Sequence, residues 1–151
     1  MNRSLVRRAV AHGLALALGL AQLGCVRGTT DATPALIDVA GAWSYAGFRT
    51  GSGALAAGTL TLSQDGTTRV SGTFDASEQD AAGNVRRIVG AVSGRTVGDA
   101  TVAFDVVFDP TASRHHTGTV RGDSLIGSWV ELTDRGVVAS GSFRARRVRT
   151  P

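Results

Sequence analysis

The stretch Ala100-Thr101-Val102-Ala103-Phe104-Asp105-Val106-Val107-Phe108-Asp109 decides the fold. Its even positions, Ala100, Val102, Phe104, Val106 and Phe108, are all apolar. Its odd positions carry Thr101, Asp105 and Asp109, with Ala103 and Val107 between them. A repeat of two specifies a β-strand with one apolar and one wet face. Phe104 and Phe108 leave the same face, so the sheet needs an enclosed side to receive them. Asp109-Pro110 ends the strand, because proline supplies no amide to a central ladder.

Working outward, seven more segments alternate between short turn signals: 41–48, 58–63, 69–75 and 84–93 before it, and 114–121, 123–133 and 137–148 after it. Gln64-Asp65-Gly66 closes a hairpin, Asp-Gly being a tight-turn signal. Beyond the N-terminal segment, nothing shows a helical period. Gly72, Gly90, Gly118, Gly127 and Gly141 fall inside strands. Glycine there weakens a strand unless the sheet bends sharply or another backbone comes close. Repeated on strand after strand, it predicts a strongly coiled sheet that closes. The expected fold is therefore all-β, an eight-stranded antiparallel up-and-down barrel over residues 41–149. An eight-stranded sandwich is the alternative and would leave edges to protect.

The 151 residues suffice for one domain with a core, and 20 glycines with 5% aromatic content suit short strands and turns. All 16 basic residues are arginine, for a formal net charge of +4. Arg3, Arg7 and Arg8 lie in the N-terminal segment, so 13 arginines face 12 acids beyond Cys25. That near balance argues against nucleic acid as a partner.

Residues 1–25 read as an export signal: a basic start, then an apolar run from Ala9 to Leu23 that is too short to span a membrane comfortably. The run ends in Leu23-Gly24-Cys25, which resembles a bacterial lipoprotein cleavage box with Gln22 in place of its usual leucine. Cys25 would carry the lipid, and as the single cysteine it can form no intramolecular disulfide. Residues 26–40 read as a flexible tether rich in turn formers. The expected location is the cell envelope, membrane-anchored through Cys25 or else periplasmic or secreted.

Four pieces of the barrel region resemble the avidin and streptavidin family. Gly41-Ala42-Trp43 opens the first strand, and Val70-Ser71-Gly72-Thr73-Phe74 is similar to the family's hydrophobic-Thr-Gly-Thr-Tyr segment. Phe104 and Phe108 fall where the family carries two tryptophans, and Thr117-Gly118 with the later Trp129 follow its Ser-Gly and Trp. Lipocalins, which also begin with Gly-x-Trp, are the near competitor. The resemblance implies biotin binding, yet the polar contacts depart from it. Phe74 replaces a tyrosine and Ala76 a serine, Tyr45 or a neighbour stands for an asparagine, and Gly141 for an aspartate. His116 aligns with a wall tryptophan, and the loop Asp134-Arg135-Gly136 lacks the tryptophan given to a neighbouring subunit. Each missing polar contact costs about 1 kcal/mol or more, so tight biotin binding is not expected.

What remains is an aromatic wall of Trp43, Tyr45, Phe74, Phe104, Phe108, His116 and Trp129. It either holds a small apolar or heterocyclic ligand or simply fills the barrel of a structural or protein-interaction lipoprotein. The polar stretch from Ser77 to Asn84 would supply orienting groups at the mouth or serve as a solvated hairpin tip.

Other motifs carry less. His115-His116 point to opposite faces of a strand, which suits no metal, and no cofactor motif is present. Arg121-Gly122-Asp123 spells an adhesion tripeptide but sits where a turn is needed. Gly51-Ser52-Gly53 lacks the strand and helix of a dinucleotide site. Asp105 and Asp109 face outward, and no arrangement for nucleophilic or acid–base catalysis is visible, so an enzyme is not expected. Arg144, Arg146, Arg147 and Arg149 would form a solvated edge or touch anionic lipid or another subunit. Outward-facing Ala103 and Val107 offer a contact for a homo-oligomer.

Overall fold

A computed structural model describes residues 37–149 apart from Thr67. The export signal, Cys25 and most of the tether lie outside the described residues. Eight strands follow one another: β1 (Gly41–Arg49), β2 (Leu55–Gln64), β3 (Arg69–Gln79), β4 (Val85–Val97), β5 (Thr101–Asp109), β6 (Ala112–Arg121), β7 (Ser124–Thr133) and β8 (Gly136–Arg147). Each pairs antiparallel with the next, and β8 returns to pair with β1, so the sheet is a closed barrel. Closure removes every edge, which rules out the sandwich.

The interior glycines explain the curvature. A Cβ on Gly127 would lie 2.0 Å from the Thr117 carbonyl oxygen, and one on Gly141 would lie 2.0 Å from that of Phe48. These strands approach too closely there for any side chain. The close approach is what lets an eight-stranded sheet roll up around a narrow core.

Alternation then sorts the side chains as the opening stretch predicts. Val102, Phe104 and Val106 are buried, while Val107 is exposed on the outside. Phe108 is half-buried and packs at the edge of the core. The β5–β6 register skips Phe108, so a bulge turns it off the axis. Strand ends differ from the sequence reading. β2 starts at Leu55, not Gly58, and β3 runs to Gln79, not Asp75. The expected polar loop from Ser77 is thus strand as far as Gln79, and only residues 80–84 connect β3 to β4.

The two ends of the barrel are different. At the lower end, Val39 precedes β1 and is fully buried, and the Trp43 indole N–H donates to its carbonyl at 3.0 Å. Arg147 lies over the Trp43 ring at 4.5 Å. Four residues that the sequence groups with the tether, 37–40, therefore cover this end. The upper end is framed by the β1–β2, β3–β4, β5–β6 and β7–β8 connections.

Candidate site at the barrel mouth

The candidate wall residues occupy three levels. Trp43 closes the lower end. In the middle, Tyr45, Phe74, Phe104 and His116 meet one another together with Phe143, a ring that the wall assignment omits. Tyr45 stands edge-on to Phe74 at 4.8 Å and stacks on Phe143 at 5.6 Å. His116 stacks on Phe104 at 4.7 Å and meets Phe143 edge-on at 5.2 Å. All five are at most 2% exposed, so the protein's own rings fill the space that a guest would need. Trp129 lies above them, and its N–H donates to Ser142 O at 3.2 Å.

His116 is pinned by two hydrogen bonds. Its Nδ1 faces the Arg114 carbonyl at 3.3 Å and so must carry the proton. Nε2 is then the acceptor for the Tyr45 hydroxyl, also at 3.3 Å. Burial holds the imidazole down to about 3 and pushes the Tyr45 phenol well above its usual range. Both side chains are neutral hydrogen-bonding partners in the core.

Above the rings lies a charged cluster that the sequence reading did not assemble. Arg114 is fully buried in β6. Its Nε and Nη2 donate to Glu131 Oε2 at 3.0 and 2.8 Å, and Nη2 also reaches Glu78 Oε2. Arg49 bridges the same two acids, donating to Glu78 Oε1 at 2.6 Å and Glu131 Oε2 at 3.1 Å. Arg86 donates to both oxygens of Glu131, at 3.1 Å to Oε1 and 2.9 Å to Oε2. The guanidiniums also cover rings: Arg114 lies 4.1 Å and Arg49 5.6 Å from Trp129, and Arg86 5.9 Å from Phe108. Burial on its own would raise both carboxyls. The arginines outweigh it, taking Glu131 down to about 2 and Glu78 below its ordinary value.

Both acids are therefore ionised, and three guanidiniums face two carboxylates. One donor stays unused: the buried Arg114 Nη1 has no hydrogen-bond partner among the described residues. Outside the cluster, a cleft of about 290 Å3 opens between the β1–β2 and β3–β4 loops, lined by Arg49, Ser52, Glu78, Asn84 and Arg86 among others. Asp80 lines it too but is occupied with its own turn, accepting from the Ala82 and Asn84 amides at 2.9 and 2.8 Å.

Parity alone turns each of these side chains inward, without showing that they meet. Glu78 is in phase with Phe74 and Ala76, Arg114 with His116, and Glu131 with Leu125 and Trp129. The remaining motifs fall outside it. His115 faces outward and its Nδ1 meets Asp105 Oδ1 at 2.8 Å. Gly122 of the Arg-Gly-Asp triplet takes the positive φ of a turn.

No family model matches the chain, and no curated protein matches it. Solved structures do. The barrel EF1p2_mFAP2b bound to DFHBI superposes with a TM-score of 0.57 at 13% identity, over 72% of this chain and 93% of that one. A de novo designed fluorescence-activating β-barrel gives 0.53 at 20% identity over 72% and 93%. The redesigned barrel mFAP1 bound to DFHBI gives 0.54 at 14% identity over 72% and 94%. At such identities the likeness is one of fold: the chain shares their eight-stranded barrel.

Proposed function

We propose that this protein is an exported, lipid-anchored binding module that takes one small planar heterocyclic acid at the mouth of its barrel. The observation that carries the reading is the mouth itself. Three guanidiniums face two ionised carboxylates, one buried donor lacks an acceptor among the described residues, and an open cleft is lined by Arg49, Arg86 and Glu78 of this cluster. Guanidiniums bind carboxylates through paired N–H donors, and Arg49 and Arg86 both line the cleft, where Asp80 is engaged with its own turn. The planar preference follows from chemistry already in use here, where arginines lie over the Trp129 and Phe108 rings. The cleft volume suits one heterocycle with its acid. Solved barrels of this fold are bound to DFHBI, which supports a guest on such a scaffold.

The reading keeps the avidin-like expectation of a ligand-holding barrel but moves the guest off the ring cluster. It also assigns no catalysis, and it places the chain in the cell envelope through Cys25. The test is calorimetry and Trp129 emission in a Trp43→Phe variant, titrated with nicotinate, indole-3-acetate, benzoate and biotin. We expect saturable binding of a planar acid, weakened about tenfold or more by Arg86→Gln, the loss of one charged hydrogen-bonding partner. Nanomolar biotin binding that ignores Arg86→Gln would contradict it.

A second reading has its own support. The ring contacts and full burial of Tyr45, Phe74, Phe104, His116 and Phe143 fit a barrel filled by its own side chains, with partners outside. Absence of any response across the acid panel would favour that reading.

A further inference from the structure

The lower end of the barrel carries chemistry that the mouth does not use. The register lines up Arg121, Ser124, Arg146 and Ser44 in one row across β6, β7, β8 and β1. Their chain neighbours Val120, Leu125 and Ala145 point into the core, so the row faces solvent. Strands lie about 4.8 Å apart, which sets Arg121 and Arg146 about 10 Å from each other with Ser124 between. Neither guanidinium meets a carboxylate among the described residues. Asp123, the nearest acid in sequence, is held by Arg149 and lies 3.9 Å from Arg147. Clefts of about 290 and 470 Å3 flank the row and share Ser124. Ile126 beside them is 60% exposed and Val148 is 51% exposed.

Charge is distributed along the axis to match. Among the described residues, this end holds Arg69, Arg95, Arg121, Arg146, Arg147 and Arg149 against Asp38, Asp65, Asp99 and Asp123. The other 6 described arginines face 7 acids, so the ends stand at +2 and −1. Arg95 stands directly opposite Arg69 across β3 and β4, and Arg69 lies 3.9 Å from Asp65. Ile37, the first described residue, packs against the core at this same end.

We propose that the lower end is a docking surface for an anionic bilayer, with a lipid phosphodiester seated between Arg121 and Arg146 on the Ser124 hydroxyl. The two guanidiniums and the hydroxyl supply donors, and the phosphate oxygens accept. Ile126 and Val148 then rest among the headgroups. The barrel stands with its mouth turned away from the membrane, toward solutes. This inference shares only the membrane with the proposed localisation, and a chain that cannot be acylated separates the two.

Every strand and the β1–β8 closure lie beyond residue 40, so the test uses the chain from residue 25 onward carrying Cys25→Ser. It is sedimented with phosphatidylcholine vesicles with and without phosphatidylglycerol. We expect binding only to the anionic vesicles, falling as salt rises. R121Q/R146Q should lower it on the order of 25-fold, about fivefold for each arginine at a charged membrane surface. Ser124→Glu, which places a carboxylate in the row, should lower it as well. R87Q/R135Q removes the same charge from the mouth end and should leave binding unchanged, with circular dichroism confirming the fold of each variant. Absence of binding to anionic vesicles, or equal losses in the two double variants, would overturn the proposal.

Discussion

His116 ties acid sensitivity to one buried ring. An unfolded imidazole takes its proton near its ordinary value of 6.5, and the folded one only near 3. Between those values the unfolded state binds more protons, so stability falls as pH falls from 6.5 toward 3. The slope from this single group is at most about 1.4 kcal/mol per pH unit. Glu131 adds loss in the same direction, beginning near its ordinary 4.5 and ending near 2. Chemical denaturation of His116→Phe between pH 6.5 and 4.5 should show a flatter dependence than the parent protein. An unchanged slope would remove His116 from the account. Arg114 gives a second expectation at this scale. Arg114→Met removes the one fully buried partner of Glu78 and Glu131 and leaves them the part-exposed Arg49 and Arg86, which should cost about 2 kcal/mol or more in urea unfolding. Replacing the pair together, as R114M/E131L, should cost less than R114M alone. Single residues were only partly legible in advance. The inward rings follow from a repeat of two, but a charged residue in an inward phase reads as a strand end until its partners are known. Glu78, Arg114 and Glu131 come from three separate strands, and nothing local shows that they meet.

Elements were easier to read because their signals are local. The alternation of β5 as far as Val106 and the hairpin after β2 both hold, since each depends on a few adjacent residues, whereas the bulge at Phe108 depends on the pairing with β6. Boundaries failed where composition misled. Ala56 and Ala57 look weakly β-forming yet pair with Glu78 and Ser77, because closure recruits the strand ends into the ladder. The in-strand glycines carry the element-level prediction. Gly127→Ala would drive a methyl group into the Thr117 carbonyl and the Gly118 backbone, and neither can yield without separating β6 from β7. We expect about 3 kcal/mol of destabilisation from that overpacking. Ser128→Ala, on the exposed face one residue later, should change stability by no more than about 0.5 kcal/mol. Equal effects in thermal melts would mean that the glycine is not what permits the close approach.

At the scale of the whole molecule, closure was inferable from repeated glycines, but the distribution of chemistry along the axis was not. Both follow from the same meander. Odd-numbered strands run from the lower end to the mouth and even-numbered strands run back, so residues far apart in sequence collect at each end. Arg49, Glu78, Arg86, Arg114 and Glu131 gather in this way at the mouth, while Arg121 and Arg146 gather below. The two tryptophans mark these ends, Trp43 over buried Val39 and Trp129 beneath Arg114. Their indole N–H protons are therefore two reporters on one axis, both already hydrogen-bonded to carbonyl oxygens. The most direct test of a guest at the mouth of a self-filled barrel is to follow these two resonances during titration with a planar heterocyclic acid. The account predicts that the Trp129 indole proton shifts with saturation and the Trp43 proton stays still. Movement of Trp43 together with the Phe74, Phe104 and Phe143 ring signals would place the guest inside the barrel and contradict it.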